Sequence, residues 1–210
     1  MPNVKRNYSS PRREAQAAET RRAILWAALE LFMSQGFGRT TVRQVAKRAE
    51  VSEQTVYNAF GDKIGLLYHG AIEYIGQAGG PDEAEFLAAL QAEPNPLARI
   101  RMVARNSRET WEGGALELEQ MVYGGELQDP RLDELREMAL AHKLASTRAV
   151  CEVLFPDEIR RDGLTLDQIA AFTTAVDSAA TVTTLRALGW SMDQWEAWAV
   201  EFLALFLKPR

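Results

Sequence analysis

A run of short polar side chains between residues 52 and 60 is the part of the sequence best suited to contact nucleic acid. In a helix that begins near Ser52, Val56 and Phe60 point inward, and the polar residues point outward or lie at the edge. The polar set comprises Ser52, Gln54, Thr55, Tyr57 and Asn58. Hydroxyl and amide groups hydrogen-bond to phosphates and base edges, and Gln or Asn pairs bidentately with adenine. The same pattern also fits an ordinary amphipathic helix with a serine N-cap.

The preceding segment predicts a second short helix that would support the first. The apolar residues of 41–49 share one face at helical spacing and are Val42, Val45, Ala46 and Ala49. Ala46 is small where two helices must cross closely, and Val51 follows as a buried residue of the turn. Two short helices joined by a turn of three or four residues predict a helix-turn-helix.

Charge is distributed unevenly along the chain. Residues 1–69 hold eleven Lys and Arg against six Asp and Glu, whereas the remainder holds thirteen against 23. A basic head on an acidic body indicates that only the head meets a polyanion. Four of the basic residues lie before the first helix or at its start: Lys5, Arg6, Arg12 and Arg13. They either follow the minor groove and neighbouring phosphates or form a solvated tail.

The segment GFGRTTVRQVAKRAEVSEQTVYNAFGDKIGLL (36–67) resembles the N-terminal DNA-binding domain of the TetR family of transcriptional regulators. The preceding residues 21–37 fit the first helix of that domain, so the resemblance covers about residues 18–72. At matching positions it implies that Thr41 and Arg43 contact phosphate, and that Lys63 anchors a phosphate at the start of the fourth helix. It further implies that Gln54, Thr55 and Asn58 face bases, with Tyr57 on the DNA backbone. These seven residues and Ser52, eight in all, make up the predicted DNA-binding site.

Two residues depart from the family pattern. Glu50 stands where the family usually has a turn glycine, and a left-handed conformation there would cost about 1–2 kcal/mol. Ala59 stands where an aromatic residue or His often precedes Phe60, so one phosphate contact is expected to be missing. Both departures bear on affinity for DNA and leave the expected fold unchanged.

Helical periodicity and capping patterns extend through nearly the whole chain, which predicts an all-α fold. The predicted helices are 12–36, 41–49, 52–59, 62–78, 82–92, 96–112, 115–124, 130–154, 165–188 and 191–207. Capping boxes of the S/T-x-x-Q type occur at Thr41/Gln44, Thr165/Gln168 and Ser191/Gln194. The predicted organisation is a flexible basic arm (1–17), a helix-turn-helix domain (18–72) and a larger helical domain for effector binding and dimerisation (73–210).

The last two predicted helices, 165–188 and 191–207, are unusually apolar. The first carries only Asp167, Asp177 and Arg186 as charged residues, and a helix that is apolar all round must be covered on more than one side. The family resemblance implies that both helices pair with their copies in a homodimer. On their residues alone, the two helices fit the core of a helical domain equally well.

A ligand pocket is expected among the middle helices. The candidates are Met102, Trp111, Met121, Tyr123, Met138, His142, Cys151 and Phe172, with Asp177 as a polar contact. For any one of them an ordinary core position is the competing interpretation. Asp177 is the most informative of them because a carboxylate in an apolar helix must be paired, exposed or neutralised.

Composition and motifs exclude several classes of protein. Cys151 is the single cysteine, so no internal disulfide forms, and with only two histidines neither a zinc site nor another cofactor is expected. The polar, basic first residues do not resemble a secretory signal, and no apolar run approaches the roughly 20 residues of a membrane span, which predicts a cytoplasmic protein. The nucleotide-binding and hydrolase motifs G-x-x-x-x-G-K-[ST], G-x-G-x-x-G and G-x-S-x-G are absent, so no enzymatic activity is expected.

The leading hypothesis is a homodimeric repressor that a small molecule releases from a palindromic DNA operator. Two further hypotheses stay open at this point. One is a regulator of the same fold that responds to a protein partner or to no ligand, and the other is an enzyme on a small apolar molecule with a degenerate DNA-binding head.

Overall fold

The computed structural model describes residues 11–78, 81–124 and 127–209. These residues form α-helices joined by short connections, with no β-strand among them and one isolated bridge between Arg160 and Leu207. The helices are α1 (Pro11–Gln35), α2 (Val42–Arg48), α3 (Glu53–Phe60), α4 (Lys63–Ala78), α5 (Pro81–Ala92), α6 (Pro96–Thr110), α7 (Leu116–Tyr123), α8 (Pro130–Leu154), α9 (Leu166–Val176), α10 (Ala179–Ala187) and α11 (Met192–Ala204). The predicted all-α class is confirmed.

The chain divides into two compact units, Met1–Glu73 and Tyr74–Arg210. This division lies one residue from the predicted boundary between 72 and 73. Lys5, Arg6, the side chain of Arg12 and the glycine pair 79–80 lie outside the described residues and side chains. The functions assigned to the two domains remain predictions.

The first unit is built around α1. Ile24, Leu29 and Phe32 are fully buried along it, and Leu66 and Leu67 of α4 are buried in the same unit. Residues three, four and seven apart share one face of a helix, so the apolar spacing of residues 24–32 generates this stripe. The helices α2 and α3 add a buried set of their own: Val42, Val45, Ala46, Val56 and Phe60.

The second unit has two apolar clusters. The first brings together Trp111 and Trp195, each about 5% exposed or less, with small residues of α6, α10 and α11 around them. The second is centred on Phe155 and Ile169, which are fully buried, together with Cys151 of α8. Within the described residues, none of the helices has the combination of length and apolar character that crossing a bilayer requires.

The predicted helix 165–188 is wrong as a single element. The chain forms α9 up to Val176 and restarts as α10 at Ala179. Asp177 adopts φ −85° and ψ 68°, which is not helical, and Ser178 caps α10 by accepting a hydrogen bond from the backbone N–H of Thr181. The physical reason for the break lies in the contacts of Asp177, described below.

The other predicted helix ends agree with the structure more closely. All three capping boxes form, with each Thr or Ser accepting from the backbone of a Gln that bonds back. The predicted break at the glycines 113–114 is present as a kink. A π-helical turn over Trp111–Ala115 connects α6 to α7, and within it Gly114 has a non-helical φ of 107° that other residues rarely adopt.

Candidate nucleic-acid interface

The start of α3 is fixed by Ser52. Its Oγ accepts a hydrogen bond of 3.1 Å from the backbone N–H of Thr55, as an N-cap does, and it lies 2.8 Å from Thr55 Oγ1. The predicted capping role of Ser52 is confirmed. The hydroxyls of Ser52 and Thr55 are therefore held in a defined orientation at the N-terminal end of the exposed face.

The buried side of α3 holds the helix in place. Val56 is 1% exposed and Phe60 is 5% exposed, and Ala46 of α2 is 2% exposed. The backbone N–H of Val51 donates to the carbonyl of Ala46 over 2.9 Å, which closes the turn between the two helices. Ala46, the small residue at which the sequence predicts a close crossing of α2 and α3, is thus buried and closes the turn through its carbonyl.

Glu50 is the single non-glycine residue with positive φ among the described residues, at φ 56°. This is the left-handed region, in which the Cβ of an L-residue lies too close to the following carbonyl oxygen. The turn therefore keeps its conformation against the preference of its residue. Glu50 therefore adopts the left-handed conformation whose cost was considered in the sequence analysis.

The outer side of α3 presents amide and phenol groups to solvent. Gln54 and Asn58 are exposed, and Tyr57 is 46% exposed. The Gln54 amide donates a hydrogen bond of 2.8 Å from Nε2 to Asn58 Oδ1, one helical turn further on. Three predicted contact residues thus share one accessible surface. Within α3 the one charged residue is Glu53.

Thr41 and Arg43 lie at the beginning of α2, and both are exposed. Thr41 Oγ1 accepts from the backbone N–H of Gln44 over 3.2 Å, and the Thr41 N–H donates to Gln44 Oε1 over 2.8 Å. The hydroxyl of Thr41 is therefore already used as a cap, whereas Arg43 shows no such structural role. The phosphate contacts predicted for both residues stay predictions.

Lys63 has a structural role that the sequence did not reveal. Its Nζ donates to the carbonyls of Phe37 over 2.7 Å and of Thr40 over 3.0 Å, and it lies 4.3 Å from the centre of the Phe37 ring. Partial burial lowers the pKa of the ammonium. Two of its three N–H groups hold the turn between α1 and α2, so one remains for the predicted phosphate contact.

Arg21 is a further residue that sequence reasoning missed. Its guanidinium lies 4.5 Å above the Phe60 ring and donates to the carbonyl of Ala59 over 2.9 Å. Arg21 thereby fastens the C-terminal end of α3 to α1. The contact joins residues 38 apart in the chain, so no local pattern could have indicated it.

In the second unit, the structure brings together two of the predicted pocket residues, Trp111 and Asp177. Trp111 Nε1 donates to Asp177 Oδ1 over 2.7 Å, and Ser107 Oγ donates to Asp177 Oδ2 over 3.0 Å. Lys143 lies 5.0 Å above the Trp111 ring and bonds to Glu119 over 2.7 Å. Burial raises the pKa of the Asp177 carboxyl, while Lys143 and the two hydrogen bonds oppose that rise.

The remaining pocket candidates are dispersed. Tyr123, Met138 and Phe172 are 44–48% exposed, and Phe172 stacks on Phe206 at 6.3 Å. Three others, Met102, Met121 and His142, are half-buried. Cys151 is fully buried, and burial raises the pKa of its thiol to about 11. The described residues contain no group of three or more His, Cys, Asp or Glu arranged to hold a metal ion.

An exposed polar helix, held by an N-cap and a tight turn on a buried three-helix base, defines a helix-turn-helix. Residues 24–69 match the family described as bacterial regulatory proteins, tetR family. This match lies within the first unit of the chain.

One curated relative is the HTH-type transcriptional repressor BepR of Brucella suis biovar 1. It is 32% identical over 136 residues, which amount to 60% of this chain and 62% of BepR, so the match spans less than two thirds of that relative. Curated relatives of the chain are named as transcriptional regulators and not as enzymes.

Solved structures share the fold over nearly the whole chain. NalD of Pseudomonas aeruginosa, the secondary repressor of the MexAB-OprM multidrug efflux pump, gives a TM-score of 0.62 at 20% identity and covers 92% of this chain and 98% of its own. FadR of Bacillus subtilis, in complex with stearoyl-CoA, also gives 0.62, at 17% identity, and covers 87% and 96%. At these identities the likeness shows a TetR-like fold with a larger helical second domain.

Proposed function

We propose that the protein is a homodimeric transcriptional repressor that binds a palindromic operator through α3 and leaves it when a small molecule binds the helical body. The observation that carries the proposal is the polar, exposed face of α3 on a buried base. In this proposal residues 18–72 bind DNA, and residues 73–210 bind the effector and dimerise.

The charge distribution supports DNA binding by the first domain. Residues 1–69 have a net charge of +5, whereas the whole chain has −5. Cations close to phosphates release counterions and supply most of the sequence-independent affinity. The exposed amides and hydroxyls of α3 then supply sequence preference.

An exposed apolar face in the second unit supports dimerisation. Phe172 of α9, Leu188 after α10 and Leu205 after α11 are 48%, 71% and 59% exposed. Aromatic rings also follow one another from α11 to the residues just after it. The ring centroids of Trp198 and Phe202 lie 5.8 Å apart, and those of Phe202 and Phe206 lie 5.2 Å apart. An apolar face of this kind marks an interaction surface. Two recognition helices related by a two-fold axis would lie about one helical turn of DNA apart, roughly 34–36 Å.

The ligand part of the proposal rests on the half-buried polar cluster around Asp177 and on the ligand complex of a protein with the same fold. FadR of Bacillus subtilis was solved with stearoyl-CoA. A ligand that binds more tightly to a form unable to bind DNA shifts the population toward that form.

Selection from a random duplex library at about 0.15 M salt tests the DNA-binding part. We expect the full chain to enrich an inverted repeat, and Tyr57→Ala to weaken binding to all sequences while the protein remains dimeric. Tyr123→Ala is the matched control because Tyr123 is equally exposed but lies in the body. Absence of any enriched sequence, or a strictly monomeric protein, would refute the proposal.

Mass spectrometry of small molecules that co-purify with the protein tests the ligand part. A bound compound should lower operator affinity when it is titrated back into the stripped protein. If no small molecule ever changes that affinity, the response belongs to a protein partner or is absent.

A further inference from the structure

The hydrogen bond between Gln54 and Asn58 joins two amides that the exposed face of α3 offers to DNA. Gln54 Nε2 lies 2.8 Å from Asn58 Oδ1, and both side chains are exposed. Residues four apart lie next to each other on a helix surface, so the bond requires no distortion of α3. The amides of Gln54 and Asn58 therefore form one hydrogen-bonded pair on the exposed face, instead of two independent groups.

The joined amides can still both accept and donate hydrogen bonds. The internal bond uses one N–H of Gln54 and one lone pair of Asn58 Oδ1. Gln54 Oε1 remains a full acceptor, Asn58 Nδ2 keeps both of its N–H groups, and Gln54 Nε2 keeps its second N–H. Exchanging oxygen and nitrogen in both amides reverses the direction of the internal bond. It still leaves one amide oxygen and one NH2 group outside the internal bond, so the pattern does not depend on that exchange.

Adenine is the base whose major-groove edge complements this pattern. It presents the N6 donor beside the N7 acceptor, whereas guanine presents two acceptors, O6 and N7. Guanine would use only the free N–H groups and would leave Gln54 Oε1 without a donor, whereas adenine uses both functions of the joined amides. The usual partner of guanine is Arg or Lys, and α3, from Glu53 to Phe60, contains neither.

We propose that Gln54 and Asn58 act as a single specificity-determining unit that recognises one adenine in each half of the operator. The inference rests on the proposed function, since it concerns which base the DNA-binding face prefers. It adds that the two residues share one base pair, and that α3 does not recognise guanine through a basic side chain.

Library selection with matched variants tests the inference. The wild-type chain should enrich adenine at one position of each half-site. Gln54→Ala and Asn58→Ala should both lose preference at that same position, each by roughly 5- to 150-fold. Arg43→Ala is the control, because loss of a phosphate contact should weaken all sequences by a similar factor and leave the preferred sequence unchanged. Thermal unfolding of each variant verifies that the domain remains folded.

A modified operator gives a second readout. Replacing the selected adenine by 7-deazaadenine removes the N7 acceptor, so it should weaken the wild type but cause no further loss in either alanine variant. The inference fails if the two variants relax different base pairs, or if the shared position is guanine, and in both cases the proposed function survives. A wild-type chain that selects no sequence overturns both.

Discussion

Glu50 is held in the left-handed region, at φ 56°, in the turn that joins α2 to α3. For an L-residue this conformation costs about 1–2 kcal/mol, and glycine avoids most of that cost while losing more entropy on folding. We therefore expect Glu50→Gly to raise the free energy of unfolding by about 0.5–1 kcal/mol. Urea denaturation of the full chain, monitored on the transition of the first unit, measures the change.

Glu50→Gln separates backbone strain from charge. Glutamine keeps the Cβ and hence the strain, so stability should stay within about 0.5 kcal/mol of wild type. Both substitutions remove a negative charge beside the proposed DNA surface and should tighten binding to all duplexes at low salt. Equal stability of the glycine variant and the wild type would show that the turn carries no strain.

Cys151 should be chemically silent in the native protein. It is fully buried, its Sγ lies 3.9 Å from Thr173 Oγ1, and burial raises the pKa of the thiol to about 11. Because the thiolate is the reactive form, labelling by a disulfide reagent at pH 8 should be at least roughly a hundredfold slower than for an unfolded chain. The urea-unfolded protein is the control. Rapid labelling of the native protein would indicate that the second cluster opens readily.

At the residue scale, the sequence predicted roles that depend on neighbours close in the chain. The cap at Ser52 and the capping box of Thr41 both belong to this group, because each arises within four residues. The left-handed conformation of Glu50 was raised only as a condition. The roles of Lys63 and Arg21 did not follow from the sequence, since their carbonyl partners lie 23 to 38 residues away. From the sequence alone, a basic residue near a helix-turn-helix is readily interpreted as a phosphate contact. The backbone carbonyls that it binds become apparent only in the folded structure.

At the element scale, the same distinction explains the break between α9 and α10. Residues 165–188 contain neither Gly nor Pro, so their composition predicted one continuous helix. The helix is interrupted at Asp177, whose carboxylate accepts hydrogen bonds from Ser107 and Trp111, 70 and 66 residues away. The sequence indicated that Asp177 needed a partner. Which residues serve as its partners depends on the tertiary structure.

The raised pKa of Asp177 predicts that the stability of the protein depends on pH. Burial raises its pKa above the ordinary value of 3.8, with Lys143, Trp111 and Ser107 opposing and Glu119 reinforcing the rise. The folded state therefore holds its proton more tightly than the unfolded state. The stability that Asp177 contributes is complete below pH 3.8 and is lost as pH rises through the folded pKa.

Asp177→Asn removes this titration and keeps the shape of the side chain. We expect the asparagine variant to gain stability relative to wild type as pH rises from 4 toward 7, with the difference constant once Asp177 is ionised in both states. Urea denaturation across that pH range measures it. Asp177→Leu is the control for lost hydrogen bonds and should be less stable than the asparagine variant throughout, because it leaves Trp111 Nε1 without its acceptor. A pH-independent difference between wild type and Asp177→Asn would mean that the carboxyl titrates normally.

At the scale of the whole molecule, the proposed dimer interface of α9, α10 and α11 would determine whether two DNA-binding units act together. Leu188 is 71% exposed in the single chain, the largest exposure among the exposed large hydrophobic residues described. A glutamate placed at the centre of a buried apolar interface must be desolvated without a partner. We expect Leu188→Glu to convert the dimer into monomers at micromolar concentration, as measured by sedimentation velocity over a range of concentrations.

Leu144→Glu is the matched control for that experiment. Leu144 is 40% exposed on α8, outside the proposed interface, so the same substitution there should leave the dimer intact. Loss of the dimer should also lower affinity for the complete operator far more than affinity for an isolated half-site, because linked binding of two sites multiplies affinity by roughly 10²–10⁴. A Leu188→Glu protein that sediments as a dimer would place the interface elsewhere. A monomeric Leu188→Glu protein with full operator affinity would mean that one copy of α3 is sufficient for recognition.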